Sequence, residues 1–310
     1  MAAMKTVPTV SPIDGLVSEY QHHLLRNAGF TSSTCRVRTF FIRTFLNALF
    51  QTKAPELDLQ KITAGTLLDY VLRQSHRWSP QTVQSLASAL RSFCRYLCST
   101  GRVHADLTRA IPAVCSNQRD RFPNTLTTGE LGHLLGSCKG KGPAQKRDYA
   151  VLLCLAKLGL RAGEAAKLRL EDIDWHTGTL RLVATKGRRE RLLPLSSELG
   201  GALASYLKHE RPSTAARTVF VSLLEGRSLS SEGISAIASS AFKRAGISGR
   251  RGSHRLRHTV ASHLVQRGAS LKAVADLLGH GDLATTQIYA KVNLPLLRQV
   301  AMSWPKEAQL

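Results

Sequence analysis

The spacing of apolar residues constrains this chain more than any other feature. From Leu16 to Gly101 they recur at helical intervals, as in Leu16, Tyr20 and Leu24 and again in Val37, Phe41, Phe45 and Leu49. The strongest element opens with Ser79 as N-cap and Pro80 at the first helical position. It carries Val83, Leu86, Leu90, Phe93 and Leu97 on one stripe before Gly101 stops it. Further along the period falls to two: residues 179–185 read as a strand, 186–190 as a turn and 191–195 as the returning strand. Helices flank this hairpin. Tyr149, Leu152, Leu153 and Ala156 share a face ahead of it, a short helix is expected over 162–168, and others over 199–208, 231–245 and from His254 onward. The expected fold is mostly α, with a helical N-terminal bundle followed by a mixed α/β domain holding a small antiparallel sheet.

A chain of 310 residues with 43% hydrophobic composition suits two domains, each large enough to bury a core. Periodicity is lost around Pro112 and Pro123, which suggests a helical domain over 11–105, a linker over 106–122, a second domain over 123–295 and a tail over 296–310. The formal charge of +22, with a pI near 10.4, points to a polyanionic partner. Residues 1–122 hold 15 Lys+Arg against 7 Asp+Glu, and the remainder 28 against 14, so both halves are positive, as for two domains gripping opposite sides of one duplex. No stretch approaches the ~18 to 20 apolar residues of a membrane span and no apolar segment follows Lys5, so the expected location is the cytoplasm, in contact with DNA. Cys35, Cys94, Cys98, Cys115, Cys138 and Cys154 form no C-x-x-C pair and read as reduced, buried thiols.

Cutting a phosphodiester needs a nucleophile, positive donors around the phosphoryl oxygens and a proton for the departing hydroxyl. The second half supplies all three in order. Arg161 follows Leu158-Gly-Leu, with Glu164 one helical turn on; Lys186 sits in the hairpin turn Lys-Gly-Arg-Arg-Glu. His254 and Arg257 share a face at i, i+3, and Leu277-Leu-Gly-His280 is followed nine residues later by Tyr289.

This ordered set resembles the tyrosine recombinases, the phage integrase family of integrase and Xer-like enzymes, and every position of that family's pattern is present. The likeness covers about 123–295 closely. Residues 11–105 resemble the family's core-binding domain in size and helicity. The resemblance implies that Tyr289 is the nucleophile, that Arg161 and Arg257 clamp the scissile phosphate, and that Lys186 protonates the leaving 5′ oxygen. His254 would bond the phosphate and accept the tyrosine proton, His280 would donate to a non-bridging oxygen, and Glu164 would orient the His-Arg pair. Arg188, Arg189 and Arg191 share the turn with Lys186 and, with Arg91 and Arg95 in the first domain, are candidate DNA contacts. His254, His258 and His263 are spaced for a metal helix, but Arg255 stands where a zincin carries Glu, so neither a metal nor any other cofactor is expected. There is likewise no nucleotide-binding Gly-Lys loop.

The partners implied are double-stranded recombination sites and three further copies of the chain, in a homotetramer that passes through a Holliday junction. Residues 294–304 would dock in a neighbouring subunit or close as an intramolecular lid. The function implied is site-specific recombination of the mobile-element kind; the alternatives are a Xer-like chromosome dimer resolvase, a type IB topoisomerase or a non-catalytic DNA-binding regulator. The charge distribution gives the first prediction. With about eight phosphate contacts, log affinity should fall against log salt with a slope near −7, measured by fluorescence anisotropy; a flat dependence contradicts a two-sided grip.

Overall fold

The computed structural model describes residues 11–50, 57–114, 124–138, 144–183, 190–249 and 251–279. Two compact units divide the chain, Met1–Gln118 and Arg119–Leu310.

The first unit is built from α1 (Pro12–Arg26), α2 (Ser32–Leu49), α3 (Ala64–Ser75) and α4 (Pro80–Ser99). Thr31, Thr63 and Ser79 each accept a backbone N–H of the following turn, satisfying donors that have no partner within the helix. The α4 stripe lies in the core as its spacing requires, and Tyr20 of α1 meets Phe93 edge to face at 5.1 Å.

On α2 the apolar stripe read from the sequence is only half right. Phe41 and Phe45 are buried, but Val37 is 52% exposed, and the buried face runs through Cys35, Thr39, Ile42, Phe45 and Leu46. Counting in fours drifts about 40° per step around a helix of 3.6 residues per turn, so a row of four such positions leaves the core face. Cys98 is exposed, whereas Cys35, Cys94, Cys138 and Cys154 are buried free thiols. The stretch after Asp106, expected as linker, continues the first unit: Leu107–Ala110 forms a 3-10 turn, and Ile111 is buried in the core. Arg91, expected on DNA, donates Nη2 to Ile111 O at 2.9 Å and Pro112 O at 2.8 Å, so its fork is turned toward the chain's own carbonyls. Arg95, one turn on, is exposed.

The second unit holds α5 (Thr128–Gly136), α6 (Gln145–Lys157), α7 (Ala162–Lys167), the strands β1 (Ile173–Asp174), β2 (Thr179–Leu182) and β3 (Arg191–Pro194), then α8 (Ser197–His209), α9 (Ser231–Arg244), α10 (Ser253–Gln266) and α11 (Leu271–Leu278). Every residue of α6 from Ala150 to Ala156 is buried, the mark of a helix surrounded by others, and α5, α7, α8, α9 and α10 pack around it. The sheet is antiparallel in the order β1-β2-β3, with Leu180 opposite Leu193 and Leu182 opposite Arg191. Leu180, Leu182 and Leu193 point inward while Arg181 points out, the alternation a half-buried strand demands. Pro194 lacks a ladder donor and lies on an edge strand, where that is tolerated. A smaller apolar cluster of Ala261, Val265, Val274 and Leu278 fixes α11 on α10.

The α2 reading is testable. Phe45→Ala should cost about 3 to 5 kcal/mol in urea denaturation, and Val37→Ala under about 0.5 kcal/mol. Equal losses would contradict the rotation of the helix described here.

Candidate active site

One carboxylate of the second unit gathers three arginines around it. Helix α6 stops at Gly159, whose φ of +63° lets Leu160 N–H return to Cys154 O, and the chain emerges at Arg161 just before α7. Glu164, one turn into α7, accepts the Arg161 N–H at 2.8 Å and the Arg161 Nη1 at 2.9 Å. Arg191 of β3 donates Nη2 to the same carboxylate at 2.7 Å, and Arg257 of α10 brings Nη1 to 4.0 Å from it. Three guanidiniums against one carboxylate leave this group with two net positive charges.

The same arginines close the end of α11. The last carbonyls of a helix have no partner within it and carry the negative end of its dipole. Here Leu277 O accepts from Arg191 Nη1 at 2.6 Å, Leu278 O from Arg257 Nη2 at 2.5 Å and Gly279 O from Arg161 Nη2 at 3.3 Å. Arg257 Nη1 also donates to Gly159 O at 2.6 Å, joining the exit of α6 to the exit of α11. Glycine at both exits permits this approach: a Cβ on Gly159 would lie 2.6 Å from Leu278 Cδ2, and one on Gly279 2.7 Å from Arg191 Cζ. Burial pushes the Arg191 guanidinium below its ordinary pKa; the Glu164 charge opposes that shift and the Arg161 charge adds to it. It stays charged, because arginine titrates far above neutrality.

Arg161, Glu164 and Arg257 are thus brought together in space. Their exposure differs: the Arg161 side chain is 43% exposed and that of Arg257 only 7%. His254 is exposed on the first turn of α10, one turn before Arg257. Arg191, expected as a DNA contact, is instead turned into the cluster with its side chain 10% exposed, reaching back to Glu164 and α11. Lys186, Arg188, Arg189, His280 and Tyr289 lie outside the described residues, as do residues 294–304.

The carbonyl row of α11 went unread in the sequence, although Leu-Leu-Gly before His280 is a helix-stop signal that marks where such carbonyls would be exposed. On α10, Arg255 is buried, donates to Ser248 O at 2.8 Å and lies over the Phe242 ring at 5.5 Å. His263 gives its Nε2 hydrogen to Leu126 O at 3.1 Å, an internal bond within this unit. Among the described residues no three His, Cys, Asp or Glu side chains gather as a metal site, and no helix is long and apolar enough to cross a membrane.

Residues 124–294 match the sequence model of the phage integrase family. Over 303 residues, 96% of this chain and 73% of the relative, the protein is 35% identical to a putative integrase/recombinase, y4rA, of Sinorhizobium fredii. It is 30% identical over 295 residues to tyrosine recombinase XerD of Listeria monocytogenes, covering 93% of this chain and 97% of that one. The chain belongs to the phage integrase family of tyrosine recombinases. It is therefore a site-specific recombinase, of a family that cleaves and rejoins DNA through a tyrosine intermediate. The fold agrees. A crystal structure of XerH recombinase bound to palindromic difH substrate, a post-cleavage complex, superposes with a TM-score of 0.70 at 19% identity, covering 92% of this chain and 83% of that one. A lambda integrase dimer bound to a COC′ core site gives 0.67 at 18%, covering 95% and 98%.

In this recombinase Gly279 and Gly246 share a left-handed conformation, φ +63° and +64°, just past a helix end, yet only Gly279 has a guanidinium against it. Gly246→Ala should cost about 1 kcal/mol for its backbone alone. Gly279→Ala should cost about 1 to 3 kcal/mol more, because the arginine cluster must shift to admit a methyl group. Urea denaturation of the two variants checks the difference, and equal losses would contradict the packing of Arg191 on the glycine.

Proposed function

We propose that this recombinase cuts DNA by attack of the Tyr289 phenol oxygen on the scissile phosphorus. The phosphorus–O5′ bond breaks, the 3′ phosphate remains esterified to the tyrosine, and the 5′ hydroxyl departs with a proton from Lys186. Ester exchange conserves the energy of the broken bond, so a 5′ hydroxyl on another strand can reverse the step with no nucleotide cofactor.

The observation that carries this reading is the meeting of Arg161 and Arg257, with Arg191 behind them, over the single carboxylate of Glu164, which leaves two surplus positive charges at the helix end that leads in sequence to His280. A phosphate in transfer gathers negative charge on its non-bridging oxygens, which guanidinium forks fixed in advance stabilise without reorganising. Arg161, the more exposed, offers its edge to solvent. Arg257 has five donors and serves carbonyls and a phosphate oxygen together. His254 bonds the phosphate and takes the phenol proton, His280 donates to a non-bridging oxygen, and Glu164 holds the two arginines in place.

The substrate is double-stranded DNA, which Arg95 of the first unit and Arg188 and Arg189 of the hairpin help to grip, and the working species is a homotetramer on two sites, acting in the cytoplasm. The biological role is that of a mobile-element integrase, in line with the match to y4rA over 96% of this chain. Near full-length agreement with a XerD, over 97% of that protein, supports chromosome dimer resolution as the second reading. An element terminus in the DNA beside the coding gene would favour the first.

Two variants test the chemistry on a nicked suicide substrate resolved by denaturing gel. Tyr289→Phe removes one hydroxyl and no charge, so it should bind DNA normally and form no covalent adduct; a persistent adduct overturns the assignment of the nucleophile. Lys186→Ala should slow cleavage at least ~10²-fold, and a 5′-bridging phosphorothiolate should restore most of the rate, because a thiolate leaves without a proton. Arg161→Ala and Arg257→Ala should gain nothing from the sulfur, since they serve oxygens it does not replace. Rescue of Arg188→Ala or Arg189→Ala in place of Lys186→Ala would move the acid elsewhere on the hairpin.

A further inference from the structure

The chemistry above leaves Arg191 without a task, although its side chain meets three parts of the site at once. It stands opposite Leu182 in the last residue pair of the β2–β3 ladder, where the hairpin opens into the turn that carries Lys186 five positions earlier in the sequence. From there the side chain turns inward, 10% exposed, and divides its fork between two elements. Nη1 donates to Leu277 O at 2.6 Å and Nη2 to Glu164 Oε1 at 2.7 Å, while Glu164 holds Arg161 at 2.9 Å. The guanidinium lies so close to Gly279 that a Cβ there would be 2.7 Å from Cζ, which sets it against the backbone leading to His280. A planar fork with donors on two edges can bridge a carboxylate and a carbonyl that face it from different elements; an ammonium on a flexible stem holds neither angle. The base of the hairpin is therefore tied to the carboxylate of the phosphate clamp and to the end of α11 through a single side chain.

We propose that Arg191 is a positioning residue for strand cleavage: it fixes the base of the hairpin against the Glu164 cluster so that the Lys186 ammonium meets the departing 5′ oxygen. This rests on the reading of Lys186 as the acid. A proton donor on a turn is useful only if the strands below it keep a set angle to the phosphate, and a misplacement of about 1 Å costs on the order of 10²-fold in rate. The role differs from a DNA contact, because the fork is occupied within the protein, and from a simple brace, because it predicts which substrate change repairs its loss.

The test uses the full-length protein as wild type, Arg191→Ala, Arg191→Lys and Lys186→Ala, each on the nicked substrate with either oxygen or sulfur at the 5′ bridging position. Affinity is read by anisotropy and cleavage by adduct formation. Both Arg191 variants should bind DNA within about twofold of wild type and cleave the oxygen substrate about 10²-fold more slowly, with sulfur restoring most of that loss, as it does for Lys186→Ala. Should Arg191→Ala fail to fold, as judged by thermal melting, Arg191→Lys decides the matter, since it keeps the charge and the stem and loses only the fork. Normal cleavage by Arg191→Lys and any folded Arg191→Ala overturns the proposal, as does a rate loss that merely follows a loss of affinity. Sulfur that rescues Lys186→Ala but not the Arg191 variants overturns the positioning role alone. Sulfur that rescues neither overturns the acid assignment and, with it, the positioning role of Arg191.

Discussion

A carboxylate shared by three guanidiniums is an unusual thing to bury, and the second unit is arranged around making it tolerable. Like charges brought together repel, and withdrawing Arg191 and Arg257 from water adds a cost that hydrogen bonds must offset, while Arg161 stays 43% exposed. Glu164 neutralises part of the charge, and the three carbonyls from Leu277 to Gly279 supply further acceptors at the negative end of α11. What remains is a positive site held by backbone geometry.

That arrangement depends on helices ending in set places. Helix α6 is buried on every side from Ala150 to Ala156 and cannot slide without exposing core, so the residues that follow it are fixed in depth. Gly159 turns the chain sharply enough for Arg161 to emerge beside α7, and Gly279 takes the same left-handed conformation at the end of α11. The apolar cluster between α10 and α11 then sets the spacing across which Arg257 spans both exits.

Much of this was legible in the sequence, and the parts that were not share a cause. Caps and stripes act locally, so Ser79, Pro80 and the α4 stripe announced their helix, and the ordered Arg, His-x-x-Arg and Gly-His pattern announced the family. Arg191 was misread because it is one of several basic residues on a turn, and composition cannot say which one turns inward; that is settled by strand register and by what lies beneath. Arg91 misled for the same reason, its acceptors lying 20 and 21 residues away in a segment that had looked like linker. Val37 failed because counting in fours ignores the slow rotation of a helix. The two-residue strand β1 is too short to show an alternation at all.

The arginines grip α11 through main-chain oxygens rather than side chains. At Leu277 and Leu278 the hydrogen-bonding demand falls on atoms that every amino acid possesses, so the identity of those residues is left to packing alone. Gly279 is bound more tightly, since there the missing side chain is itself the requirement. Side chains along this helix can therefore change without removing an acceptor, while any side chain at position 279 must first displace Arg191.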